Sequence, residues 1–126
     1  MVLDASAILA ALREELGGDV VYDHVHDASV STVNVCEVYT YAALHSLPKE
    51  VVDRFFDYEG MNVVSLDKKT AAAAGAMAAI TKSAGLSFGD RCCLALAQSR
   101  DAEVLTADRN WADFADPLGL RITLIR

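Results

Sequence analysis

The chain has 126 residues, is 53% hydrophobic, and carries a net charge of −7 from 11 basic and 18 acidic residues. That length and apolar content predict one domain with a real core and exclude a disordered chain. No apolar run approaches the ~20 residues of a membrane span, and Met1-Val2-Leu3-Asp4 lacks the basic segment of a signal peptide; a cytoplasmic protein with no membrane partner is expected.

A first strand is expected at 2–4. A helix follows over about 6–16, with Ile8, Leu9, Leu12 and Leu16 on one face and Gly17-Gly18 as its stop. A short helix is expected over 20–26 and a second strand over 28–31. Thr32 is the expected N-cap of a helix reaching about His45, and Pro48 suits the first turn of the next, which Gly60 ends. A third strand at 62–66 leads to Asp67, the expected cap of a long helix through about Ser83. Its run Ala71-Ala72-Ala73-Ala74-Gly75-Ala76 permits close packing, either within the chain or across a homodimer. Residues 85–89 read as a loop, 90–100 as a helix headed by Asp90, 103–107 as a fourth strand, Asp116-Pro117 and Gly119 as a turn, and 122–125 as a last strand. Strands alternating with helices predict an α/β fold with a mostly parallel central sheet flanked by helices, and no boundary divides residues 1–126.

Asp4, Glu37, Asp90 and Asp108 each lie at or just past the end of an apolar segment, or interrupt one. Ligands of such sheets bind beyond the carboxyl ends of the strands, where these four can meet in one cleft. Converging carboxylates repel one another and raise each other's pKa. A hard divalent cation removes that penalty, and oxygen-only ligands suit Mg²⁺ or Mn²⁺. These four also account for more than half of the net charge, so the acidic balance weakens a nucleic-acid substrate without excluding one. It favours a basic protein partner. Metal ions can supply the water nucleophile, phosphate clamp and leaving-group stabilisation that phosphodiester hydrolysis requires. No phosphate-cradling G-x-x-x-x-G-K-[ST] loop and no Ser-His-Asp constellation is visible.

Val2-Leu3-Asp4-Ala5-Ser6, Asn34-Val35-Cys36-Glu37, Phe88-Gly89-Asp90 and Leu105-Thr106-Ala107-Asp108 together resemble the PIN-domain family. The size and layout look most like the ribonuclease toxins of VapBC toxin–antitoxin pairs, over nearly the whole chain. The resemblance implies a PIN-like nuclease domain over residues 1–126, acting as a Mg²⁺-dependent endoribonuclease on RNA and inhibited by a cognate antitoxin. It implies that Asp4 and Asp90 hold the metal, that Glu37 and Asp108 complete the acidic set, and that Ser6 and Thr106 hydrogen-bond around it. Asn34, one turn before Glu37, can orient that carboxylate. Asp113 is a further acid whose offset from Asp108 leaves its direction open. Arg91 and Arg109 either contact RNA phosphate or pair with the neighbouring acids.

Each acid also has a plainer reading: Asp4 and Asp90 as helix caps, Asp108 as a turn residue. Cys36, Cys92 and Cys93 form no C-x-x-C pair and read as small core residues in a reducing compartment. His24, His26 and His45 read as structural or solvent-facing, Trp111 as packing, and Tyr39 and Tyr41 as either packing or stacking on bases. The competing class is a non-catalytic α/β signalling or binding module. A receiver domain needs a second acid after the first strand and a Lys after the last, and this chain has neither. A haloacid-dehalogenase-like phosphatase needs Asp where Ser6 stands. A degenerate PIN fold kept for binding would not retain the full acidic set.

Overall fold

The computed structural model describes residues 1–126. Five short strands form one sheet: β1 (Val2–Leu3), β2 (Ser29–Ser31), β3 (Asn62–Val64), β4 (Val104–Thr106) and β5 (Ile122–Leu124). Their order is β3-β2-β1-β4-β5, and every pairing is parallel. The sheet is thus wholly parallel, and both faces of its central strands are covered. Leu3, Val30 and Leu105 point to one side, among α1 (Ala5–Leu12), α2 (Gly18–His24), α3 (Thr32–Leu44) and α4 (Lys49–Phe56). Val2 and Val104, one residue earlier in the pleat, point to the other, among α5 (Lys68–Ala76), α7 (Phe88–Ser99) and the segment after β4. The order in which strands are added reverses between β1 and β4, where an open α/β sheet leaves a crevice at its carboxyl edge. No helix is long and apolar enough to cross a membrane.

Several expected boundaries move for physical reasons. α1 ends at Leu12 rather than Leu16. Glu14 takes φ 55° and turns the chain, leaving Leu16 81% exposed instead of on the buried face. Gly17 does not stop α1 but precedes α2 at φ 82°, so close to Ile125 that a Cβ would stand 2.1 Å from its carbonyl oxygen. Ser31, not Thr32, caps α3 by accepting from the Val33 N–H, and the Thr32 hydroxyl accepts from the Leu66 N–H beyond β3. The long helix expected to Ser83 breaks after Ala76 into α6 (Ala78–Thr81) and a 3-10 turn, with Ala74, Met77 and Thr81 buried. Phe88 and Gly89 belong to α7 rather than to the loop before it. In place of a simple turn, 3-10 helix Arg109–Phe114 and α8 (Ala115–Leu118) connect β4 to β5.

Candidate active site

Asp4 follows β1 immediately and caps α1, with extended backbone and only 3% exposure. Its Oδ2 accepts from the Ser6 N–H at 3.3 Å, from the Ser6 hydroxyl, and from the Thr106 hydroxyl at 2.8 Å. Oδ1 takes none of these donors. The hydroxyls also accept: Ser6 Oγ from the Ala107 N–H at 3.0 Å and Thr106 Oγ1 from the Asp108 N–H at 3.0 Å. Each has a single proton and gives it to Asp4. Two neighbouring strand ends are thereby tied through one carboxylate.

Burial pushes the Asp4 carboxyl up to about 6. The Ser6 and Thr106 hydrogen bonds oppose the shift, and the Asp90 charge adds to it. Glu37, half-buried in the second turn of α3, is raised first by burial and further by Asp90, against the lowering effect of Asn34. Asn34 is fully buried. Its Nδ2 donates to Glu37 Oε2 at 2.8 Å and to the Gly89 carbonyl at 3.1 Å, joining α3 to the start of α7.

Asp90 does not head its helix. Ser87 is the N-cap, and Asp90 stands three residues on, closing a capping box in which the Ser87 N–H donates to Asp90 Oδ2 at 2.8 Å and the Asp90 N–H donates to Ser87 Oγ at 3.2 Å. Asp108 caps the following 3-10 helix, accepting from the Asn110 N–H at 2.9 Å. Asp4 and Asp108 thus cap helices, Asp90 is the third helical residue of its capping box, and all three also line the cleft.

Asp4, Ser6, Glu37, Asp90 and Asp108 line one open cleft of about 790 Å³. No Lys or Arg lines it. Leu9, Val33, Leu44 and Phe88 form an apolar wall, of which Leu44 is 75% and Phe88 59% exposed. No three acidic, histidine or cysteine side chains converge on one point at coordination range. Asp90 and Asp108 are instead each turned onto a backbone N–H of their own turn. The donor set is nonetheless oxygen-only and strongly anionic, which fits a hard divalent cation.

Asp113 and Arg109 are exposed and Arg91 is half-buried, and none of the three lines the cleft. Cys92 and Cys93 are core residues, and burial pushes the Cys93 thiol well up. Cys36, in contrast, is exposed and lines the cleft. Trp111 is fully buried. Tyr39 donates to Asp53 away from the cleft, and Tyr41 lies within it. Gly89 is a position that the motifs alone do not explain. A Cβ there would stand 2.1 Å from Glu37 Oε1, so only glycine leaves room for that carboxylate against the start of α7. A glycine inside a helical first turn is the sequence signal for such an approach.

A family model described as PIN domain matches residues 1–117. No curated protein sequence matches the chain. Among solved structures, a toxin–antitoxin complex from Klebsiella pneumoniae aligns at TM-score 0.76 and 17% identity, covering 99% of this chain and 97% of that one. VapBC2 from Rickettsia felis bound to a promoter DNA fragment aligns at 0.73 and 13%, covering 98% and 96%. VapBC-5 from Mycobacterium tuberculosis aligns at 0.68 and 20%, also covering 98% and 96%. At these identities the likeness is one of fold.

Proposed function

The chain belongs to the PIN-domain family, and from that premise we propose that it is a divalent-metal-dependent endoribonuclease, the toxin of a VapBC-type pair. The observation that carries this reading is Asp4: a buried carboxylate, raised to about 6, at the switch point of a parallel sheet and sharing its cleft with three further acids and no Lys or Arg. The full-length fold likeness to chains of toxin–antitoxin complexes supports the toxin assignment.

Asp4, Glu37, Asp90 and Asp108 would hold Mg²⁺ or Mn²⁺. When bound, the cation supplies an activated water, a clamp on phosphate charge and stabilisation of the leaving oxygen. The chain's own residues prepare that site. Ser6 and Thr106 fix the orientation of Asp4 through Oδ2 and leave Oδ1 to the cleft. Asn34 holds Glu37, and Gly89 gives it room. The apolar wall of Leu9, Leu44 and Phe88 beside the acids suits an antitoxin segment with a basic residue for the carboxylates and apolar residues for the wall.

The deciding experiment is RNA cleavage by the purified chain with Mg²⁺ or Mn²⁺ and with EDTA, against Asp4→Asn. An amide keeps the shape of Asp4 but ligates a hard cation poorly. Cleavage is expected only with metal, and Asp4→Asn is expected to lose at least about a hundredfold in kcat. EDTA-resistant cleavage, or full activity in Asp4→Asn, contradicts the proposal.

A further inference from the structure

The acids occupy one end of the cleft, and α3 carries its lining to another. Glu37, Tyr41, Leu44 and His45 follow one face of that helix and its cap. By helical rise Glu37 and His45 are ~12 Å apart along the axis. At the far end the Tyr41 and His45 rings stack, with centroids 4.1 Å apart and planes 22° apart. The Arg13 guanidinium, at the end of α1, lies 5.2 Å from the centroid of Tyr41. Arg13 has a side-chain exposure of 46% and uses one nitrogen on Glu15 at 2.8 Å, while a guanidinium offers five donors. His45 is exposed, and it is the only histidine, lysine or arginine in the cleft lining.

A phosphate strand entering this cleft meets four carboxylates. Metal offsets their repulsion only at the cluster itself, so the strand beyond needs a cation and a flat surface. We propose that Arg13, Tyr41 and His45 form a platform for unpaired RNA flanking the cleaved bond. A base extends the column on the exposed imidazole, and the guanidinium donates to a phosphate. This rests on the ribonuclease reading above and adds residues to it. Stacking tolerates every base, so the platform selects single strands with little base preference at that position. A duplex keeps its bases inside its own stack and does not offer them.

The test compares Tyr41→Leu, His45→Ala and Arg13→Gln, each in the otherwise active full chain, on a short unpaired RNA and on the same sequence in a duplex. KM for the unpaired RNA is expected to rise about tenfold in the ring variants, within the range of a lost base stack. It is expected to rise about threefold in Arg13→Gln, with kcat changed less than about twofold throughout. Tyr41→Phe keeps the ring and is expected to keep KM. Circular dichroism and Mn²⁺ affinity, unchanged in His45→Ala, separate lost binding from lost folding. If the parent chain cleaves and no variant shifts KM, the platform is wrong and the ribonuclease reading stands. If the parent chain cleaves no RNA with any divalent ion, both fall. If the variants keep KM but weaken inhibition by a basic amphipathic peptide, the stack belongs to a protein partner and the proposal is overturned.

Discussion

At the scale of single residues, Asp4 carries the most consequence because its environment disfavours its charge. The folded chain holds the Asp4 proton up to about pH 6, whereas the ordinary value is 3.8. Between these values the folded state binds more protons than the unfolded one, so this residue makes stability fall as pH rises. Glu37 is shifted in the same direction. Metal-free protein is therefore expected to lose about 2 kcal/mol through Asp4 between pH 4 and pH 7, a loss that Asp4→Asn removes. Urea unfolding of both proteins in EDTA across that range checks the sign; a difference that grows toward acid contradicts it. Gly89 offers a second test at this scale. A methyl group there displaces the Glu37 carboxylate, the movable end of a side chain, rather than backbone. Gly89→Ala is expected to lower metal affinity or kcat by roughly ten- to a hundredfold, as for other groups that orient ligands. Its melting temperature is expected to stay close to that of the parent chain; unaltered metal binding and turnover would show that Glu37 does not need its present position.

Among the elements, α7 does two jobs. Its first turn presents Asp90 to the cleft, and its body, Cys92 to Ala97, is buried against the sheet. Ser87 fixes the entry to that turn. Ser87→Ala removes the acceptor of the Asp90 N–H and is expected to cost about 1 kcal/mol, read as a lower urea midpoint with unchanged slope. The apolar runs that make β1, β2 and β4 were legible because the parallel sheet buries its central strands on both sides. The acids were legible because they flank those runs. The helix ends were not. The only local mark of the break after Ala76 is Gly75, a poor helix former in an alanine run that otherwise favours helix, and Ala74, Met77 and Thr81 are buried on either side of it. α1 ends early where Glu14 takes a positive φ, a conformation that a glutamate in the sequence does not announce. Gly89 escaped notice for a different reason: the motif marks its place in the chain, while its need for space arises only when α3 and α7 meet. Arg13 lies outside every motif, and only the packing of α1 beside α3 brings it to Tyr41.

For the molecule as a whole, charge and shape point to its regulation. A chain of net charge −7 with its acids in an apolar-walled cleft attracts a partner of opposite character. On the proposed toxin reading, titrating ribonuclease activity with a cognate antitoxin is expected to show inhibition, weakened about tenfold or more when a basic residue of its cleft-binding segment is replaced by Ala. Unchanged inhibition, with no other basic group reaching the acids, rules out occlusion of the carboxylates as the mechanism.

The strand order has a further consequence, for the time before folding is complete. Asp4 leaves the ribosome well before its hydroxyl donor Thr106, which lies 102 positions later in the chain. At ordinary synthesis rates the interval is roughly 5 to 20 s. Throughout it, β1 lacks the β4 neighbour that makes it a central strand, and the Asp4 carboxylate lacks one side of its cradle. The cradle of Asp4 therefore cannot close before the chain has been made through β4. Completion of the site and completion of the centre of the sheet arrive together, so a chain cut short before β4 has Asp4, Glu37 and Asp90 without the geometry.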